Sequence, residues 1–378
     1  MGDHRGMCQR QLIKPLMKTI IFTVTNDLTY DQRMIRICTS LAHNGFRVIL
    51  TGRKLRNSNP LTARPFEQIR IFCFFQDGKK FYAEYNTRLF FFLLKQKVHC
   101  ICAIDLDTIL PCYLVSALKK ILRVYDAHEL FCEMKEIVTR PSIYKTWKRI
   151  EKWLVPKFKN GYTVNQPIAD EFRKMYGVEY LVVRNIPPYV EHATTAEPGD
   201  FLLYQGSVNE GRSFETLIPA MKHINSTLVI CGDGNFMKEC RLLVEKHGLQ
   251  GKVVFKGRLT PDELNAYTKK AKAGITLFEK NGLSNYLSLA NRFFDYIHAG
   301  IPQLGVNYPA YREINNLYEV AVLIDDLTPD SIAYQCNRLL YDKNLYDSLR
   351  QNCITARKVF TWQNEEKTLV AFYKSRLS

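Results

Sequence analysis

Apolar residues fall along this chain in two alternating rhythms. Short runs such as "TIIFTVT" (19–25), "RVILTGR" (47–53) and "VHCICAID" (98–105) are nearly continuous and β-branched, the pattern of strands buried on both faces. Between them lie stretches with apolar residues three or four apart. Met34, Ile37 and Leu41 share one face and Asn44-Gly45 follows, so an amphipathic helix with a stop is expected there. The alternation continues through "IRIFCFF" (69–75), "RVYDAHE" (123–129), "GYTVN" (161–165) and "YLVVRNIP" (180–187). It predicts a parallel sheet with helices on both faces.

The segment "PPYVEHATTAEPGD" (187–200) has no apolar period and is rich in proline, small and acidic residues, so 188–200 is read as a linker. The rhythm then restarts at "FLLYQGS" and runs through "STLVICGDG", "KVVFKGRL", "KAGITLFEK", "IPQLGVN" and "AVLIDD". "TPDELNAYTKKA" carries Thr260 as N-cap, Pro261 in the first turn and Glu263 three positions on, a capping box. The expected organisation is an N-terminal extension (1–16), a Rossmann-like domain (17–187), the linker, a second Rossmann-like domain (201–358) and a C-terminal helix (359–378). That last helix is a candidate to pack back on the first domain. Met17 is a candidate natural start, because "MKTIIFTVTND" enters a strand at once.

At 378 residues the chain suits two domains, and 46% hydrophobic with 24% charged residues is a globular composition. A formal net charge of +16 favours an anionic partner: nucleic acid, a phosphorylated substrate or an acidic membrane. The basic residues are dispersed and no zinc-finger or RNP-like motif is present, so nucleic acid is not expected. The 11 cysteines form no CxxC pair and read as reduced, mostly buried thiols of a cytoplasmic protein. No apolar run is long enough to span a bilayer. The basic amphipathic stretch "YKTWKRIEKWLVPKFK" (144–159), with Trp147 and Trp153, suits either a solvated face or contact with anionic lipid, as does "RLFFFLL" (88–94). Peripheral contact with the inner face of the cell membrane is therefore an expectation to test.

Two doubly wound domains would face each other across a cleft, with ligands outside the carboxyl ends of their strands. Three loops there stand out. "YQGSVNEGRSFETL" offers Gly206, Ser207 and Gly211 for a tight turn and Arg212 at a helix entrance, which suits a phosphate. "VICGDGNFM" has Gly232 and Gly234 but Met237 where a dinucleotide fingerprint needs a third glycine, so a nicotinamide cofactor is not expected. "NYLSLANRFFDYIHAG" (285–300) reads as one helix capped by Ser288, with an aromatic arc and a polar stripe of Asn291, Asp295 and His298 facing the cleft. In the first domain, "DLDT" (105–108) has the look of a metal-binding pair. Acceptor-side hydrogen bonding or helix capping by Asp105 and Asp107 fits its position better. Asp31 and Arg33 are read as fixing their loop. Glu129 is read as pairing with a base or capping the next turn.

Four stretches together resemble retaining glycosyltransferases of family 4, which have the GT-B architecture of two Rossmann-like domains facing a central cleft. They are "TNDLTYDQRMIRICTSLAHNGFRVILTGR", "GSVNEGR", "VICGDGN…GLQGKVVFKGRL" and "SLANRFFDYIHAGIP", the last similar to a donor helix of the Pro-Asn-Lys-Phe-Glu-Tyr kind. The resemblance runs from about Met17 to the C-terminal helix. It implies that Arg212 holds a donor diphosphate, that Asp295 binds the nucleotide ribose, and that backbone around Gly206, Ser207, Ser288 and Leu289 cradles phosphate and sugar. Asn291 and Arg292 would join this donor site, Arg258 would border the base, and His128 would lie near the acceptor or transferred sugar. The donor would be a UDP- or GDP-sugar, used as substrate and without an obligatory metal. The acceptor would be a glycan or a lipid-linked molecule in surface polysaccharide or glycolipid synthesis. The sequence departs from the family at Leu287, where the first acid of its acid pair is expected, and at Ser207, where many members carry arginine. Those departures keep two alternatives open: a catalytically degenerate binder of sugar nucleotide or glycan, and a GT-B sugar-nucleotide 2-epimerase.

Overall fold

The computed structural model describes residues 17–29, 31–191 and 199–377; the expected extension (1–16), residues 192–198 of the expected linker and the terminal residue lie outside them. The first sheet contains β1 (Thr19–Thr23), β2 (Arg47–Lys54), β3 (Glu67–Phe72), β4 (Cys100–Ile104), β5 (Leu122–Ala127), β6 (Gly161–Thr163) and β7 (Leu181–Val182). Its order is β3-β2-β1-β4-β5-β6-β7. The second contains β8 (Phe201–Gln205), β9 (Thr227–Cys231), β10 (Val253–Gly257), β11 (Ala273–Thr276), β12 (Gln303–Val306) and β13 (Ala321–Ile324), in the order β10-β9-β8-β11-β12-β13. Every pair in both sheets is parallel. This is the two-sheet α/β architecture expected of a GT-B fold. The order reverses between β1 and β4 in one sheet and between β8 and β11 in the other, so loops diverge there and leave crevices.

Helix starts follow local chemistry. Asp31 accepts from the Met34 amide at 3.0 Å, Asn165 from that of Ile168 at 2.9 Å, and Thr260 with Glu263 forms the capping box. Apolar residues cover both faces of each sheet, which is why the strands read as unbroken apolar runs. The C-terminal helix Trp362–Leu377 crosses to the first sheet: Leu369, Phe372 and Tyr373 share a core cluster with Ile20 and Phe22, and Trp362 Nε1 donates to Ser40 Oγ at 2.9 Å. All ten described cysteines are buried and unpaired.

The stretch 285–300 differs from the single capped helix expected. A short helix, Leu283–Leu287, ends at Ser288, and a second, Asn291–Ala299, starts after Ala290. Ser288 does not cap it; its hydroxyl donates back to Asn285 O at 2.9 Å. Distant groups hold the break open: Asn165 Nδ2 donates to Leu287 O at 2.9 Å, and the Ala290 amide donates to the Tyr311 hydroxyl at 3.0 Å. Leu287 itself is buried in the first domain's core cluster, where the short helix packs on the turn Phe131–Glu133. Burying a leucine is worth about 1.5–3 kcal/mol, whereas an unpaired carboxylate there would cost more than that. The position is a hydrophobic contact between domains, where an acid would be left unpaired.

Candidate functional site

Two crevices meet between the sheets. The first, of about 430 Å³, lies over the β8/β11 reversal and brings together Gly206, Ser207, Arg212, Ser288, Leu289, Asn291, Arg292 and Asp295. Glu129 reaches it from the other domain. The second, of about 750 Å³, lies against the β1 and β5 loops and contains His128, Arg33, Asp31 and Arg258; it shares Leu289 and Asn291 with the first. Arg258, which the resemblance put beside the donor base, is exposed and belongs to this second crevice, because Gly257 (φ +66°) turns the chain away from β10.

Arg292 is the most constrained cation of the site. It sits near the start of the helix Asn291–Ala299 and is 8% exposed. Its guanidinium lies 4.4 Å from the Tyr204 ring centroid and 4.8 Å from that of Phe278, and Nη1 donates to Gln205 O at 3.0 Å. Nε and Nη2 are buried without a hydrogen-bond partner among the described residues. Arg212 stands beside it, 4.5 Å from the same Phe278 ring and 3.4 Å from Asn285 Oδ1. Burial, and then repulsion from Arg292, pulls the Arg212 guanidinium below its usual range. Neither arginine makes an ion pair among the described residues, so two guanidiniums side by side face the crevice, a chemistry that suits an anion.

The backbone completes it. Gly206 (φ +116°) leaves space that a Cβ would fill, 3.1 Å from Arg292 Nη1, and a Cβ on Gly232 would fall 1.8 Å from Gly206 O. The glycines of "CGDG" therefore serve loop packing beneath the site. The amides of Leu289, Asn291 and Arg292 have no acceptor among the described residues and open onto the same crevice.

Asp295 lies one turn beyond Arg292. Gln205 Nε2 donates to its Oδ2 at 2.8 Å, and Thr268 Oγ1 fixes that amide by donating to Gln205 Oε1 at 2.8 Å. Burial pushes the Asp295 carboxyl up to about 6, although Arg36, Gln205 and Arg292 oppose it. His298 does not face the cleft: its Nε2 lies 2.7 Å from Phe360 O, which ties the helix to the segment leading to the C-terminal helix. Glu279, the other carboxylate of this region, accepts from Asn281 Nδ2 at 2.5 Å and lies outside the crevice.

Across the cleft, His128 sits among charges. Its Nδ1 is 3.4 Å from Asp105 Oδ2, its Nε2 is 3.1 Å from Asp126 Oδ2, and its amide donates to Asp105 Oδ1 at 2.8 Å. Burial disfavours the imidazolium, but Asp105 and Asp126 outweigh it and raise His128 to about 9. Arg33 is buried with Asp126, Nη2 to Oδ1 at 2.8 Å, so one carboxylate serves two cations. Asp105 thus positions the His128 loop, and Asp107 accepts from Thr25 Oγ1 at 2.9 Å. Among the described residues no group of three or more acids, histidines or cysteines is arranged to hold a metal ion. Sequence reasoning read Glu129 as pairing with a base or capping the next turn and did not place it at the donor crevice. Its carboxyl lines the arginine crevice and is raised to about 8, chiefly by burial and then by Asp105. Its place directly after His128 was the available signal.

These features, two unpaired arginines over a β8/β11 crevice and a carboxylate one turn on, all lie within a single matched region. Residues 191–356 match the family model Glycosyl transferases group 1. This group 1 domain spans the whole second sheet. No curated protein matches the chain at a significant level. Among solved structures, the fold is similar to sucrose-phosphate synthase from Thermosynechococcus elongatus (TM-score 0.76, 16% identity, 95% of this chain and 98% of that one). It is similar to WaaG, a glycosyltransferase involved in lipopolysaccharide biosynthesis (TM-score 0.73, 15% identity, 93% and 99%). It is also similar to Anabaena HepE in complex with UDP (TM-score 0.70, 13% identity, 95% and 100%), a protein also solved with UDP-glucose. These likenesses extend the GT-B architecture across both sheets.

Proposed function

We propose that this protein is a retaining glycosyltransferase of the family 4 kind that moves a sugar from a nucleotide-sugar donor to a glycan or lipid-linked acceptor. The observation that carries the reading is the pair of a buried Arg292 and a partly buried Arg212, neither in an ion pair among the described residues, beside free helix-start amides. Such a pair suits a diphosphate, whose charge repays the desolvation that both arginines suffer. Asp295 would accept from the ribose hydroxyls, oriented by Gln205. Arg292 takes the place left by Ser207, supplying the second cation that the resemblance led us to seek there. The HepE complexes with UDP and UDP-glucose favour a UDP-sugar over a GDP-sugar as donor.

Transfer with retention would have the acceptor hydroxyl attack the anomeric carbon on the face from which the diphosphate leaves. Arg212, Arg292 and the helix-start amides would stabilise charge as it develops on that leaving group. A leaving phosphate oxygen would take the acceptor proton. His128, held as imidazolium by Asp105 and Asp126, would set a positive charge beside the acceptor, and Glu129 would face the reacting carbon from the same loop. The alternative of a degenerate binder was prompted by Leu287, and the burial of that residue between the domains weakens it. No observation favours the 2-epimerase.

A thermal-shift panel of UDP-, GDP-, ADP- and CMP-sugars on the parent, Arg212→Ala and Asp295→Ala proteins tests the donor site. One donor should stabilise the parent, and both substitutions should reduce that shift. If neither does, the donor site is wrong. Release of nucleoside diphosphate only with acceptor present would separate transfer from epimerisation.

A further inference from the structure

A large apolar hollow among the described residues lies outside both crevices. It has a volume of about 980 Å³, at the upper end of the roughly 300–1,000 Å³ of small-molecule sites. It runs between three helices of the first domain, Gly78–Lys95, Ile109–Lys119 and Pro141–Leu154. Each of these helices follows a strand of a parallel sheet, so each begins at the carboxyl edge that faces the cleft. That topology orders the groove. Lys79, Asp107 and Arg140 stand at its cleft end. Tyr82, Trp147 and Phe131 form its floor, with ring centroids 5.4 and 5.1 Å from that of Trp147. Phe91 and Leu114, 57% and 41% exposed, lie at its far mouth. The cleft end lies close along the chain to the site already described: Asp107 is two residues from Asp105, and Phe131 is two and three residues from Glu129 and His128.

Charge argues for one kind of occupant. Lys79 and Arg140 are exposed and make no ion pair among the described residues. The three helices carry two carboxylates, and both are engaged: Glu84 accepts from the Phe74 and Phe75 amides and from Arg88, and Glu151 is buried against Lys148. A third, Asp107, lines the cleft end; it accepts from Thr25 Oγ1, and burial and then Asp105 raise its carboxyl to about 7, which weakens its negative charge there. Lys145, Arg149 and Lys152 remain exposed beside Trp153, which is 52% exposed. A neutral apolar peptide would gain nothing from this field, whereas a lipid phosphate would.

We infer that the groove holds the hydrocarbon chain of a phosphate-bearing lipid, with its phosphate at Lys79 and Arg140 and its chain leaving past Phe91 and Leu114 towards the membrane. Given the glycosyltransferase reading, on which this step rests, the acceptor is lipid-linked rather than a free glycan. The groove then delivers the acceptor headgroup to His128 and Glu129 while the basic face of Pro141–Leu154 lies on the bilayer.

The test uses the full chain carrying Trp153→Phe and a hexadecyl phosphate brominated along its chain, kept below its micelle concentration. Bromine quenches tryptophan on contact, so fluorescence of Trp147 reports entry. Each buried methylene is worth about fourfold in affinity, so hexadecyl phosphate should bind at least tenfold more tightly than octyl phosphate, and inorganic phosphate should not compete. Ala83→Phe and Leu114→Asp, both at exposed positions in the groove, should each weaken binding at least tenfold with an unchanged unfolding midpoint. Lys79→Gln with Arg140→Gln should erase the preference for the phosphate over hexadecanol. Equal binding of the two chain lengths, quenching only by anionic vesicles, or parental binding by both folded groove variants would overturn the inference. A UDP-sugar thermal shift on the same samples keeps the two readings apart: chain binding without donor binding defeats the donor site, and donor binding without chain binding defeats the groove.

Discussion

Replacing Arg292 by methionine separates a ligand-binding residue from a structural one. In the free protein the guanidinium loses water and gains one charge-assisted bond to Gln205 O, worth about 1.5–3 kcal/mol. Its contacts with the Tyr204 and Phe278 rings add about 0.5–2 kcal/mol each. Against these stands a desolvation cost of several kcal/mol for a buried ion with two nitrogens unpartnered. Methionine is of similar length and recovers about 0.3–1.5 kcal/mol from sulfur–aromatic contact with the same rings. The terms nearly cancel, so folding stability should change by less than about 2 kcal/mol. Binding should not be spared. Nε and Nη2 would each donate to a diphosphate oxygen, and losing two charged bonds at about 1.5–3 kcal/mol each predicts a fall in affinity of about 10²–10⁴-fold. Urea unfolding gives the first quantity. Calorimetric titration with the nucleoside diphosphate of whichever donor stabilises the parent gives the second. A variant destabilised by more than about 3 kcal/mol, with affinity within threefold of the parent, would make Arg292 a core residue and refute the anion-site argument.

Three further outcomes follow from the same geometry. Asp295 has a folded pKa near 6 against 3.8 for an ordinary aspartate, so its favourable contribution is present below pH 3.8 and lost as pH rises through 6. Asp295→Asn should therefore raise stability at pH 7 by up to about 3 kcal/mol while weakening donor binding about 10–100-fold; unchanged affinity would remove Asp295 from the ribose. His128, raised from 6.5 to about 9, contributes stability that is full below pH 6.5 and lost as pH rises through 9. The parent should thus lose up to about 3 kcal/mol more than His128→Gln across that interval, and equal slopes in urea melts would place the imidazolium elsewhere. Leu287→Glu, which restores the acid of the family pair, should destabilise the chain by several kcal/mol by burying an unpaired carboxylate between the domains. A stable variant with improved turnover would show that Leu287 is a catalytic defect rather than a domain contact.

What the sequence revealed and what it concealed divide along the range of the interactions involved. The strands were legible because burial on both faces of a parallel sheet leaves apolar runs that no local alternative explains. The capping box of Thr260 and Glu263 was legible because both partners lie within one turn. The break at 288–290 was not, since Leu287 and Leu289 carry the apolar spacing straight across it. The groups that open it, Asn165 and Tyr311, arrive from other elements. Arg292 entered the donor site through the resemblance, but its burial was not legible, because a helical wheel ranks residues by neighbours on one helix. Its burial comes from Tyr204 and Phe278, on strands or loops that the wheel does not contain. Glu129 was kept out of the donor site for the same reason: it meets arginines of the other domain only across the cleft. The family pattern located Arg212 and Asp295 but looked for a second cation at Ser207 and a second acid at Leu287. The crevice holds both kinds of charge from elsewhere, with Arg292 and Glu129 lining it, and under the proposed function these would stand in for the two. A site built by two sheet reversals needs only that the right groups converge, so a motif can lose two of its residues and leave the chemistry of the crevice intact.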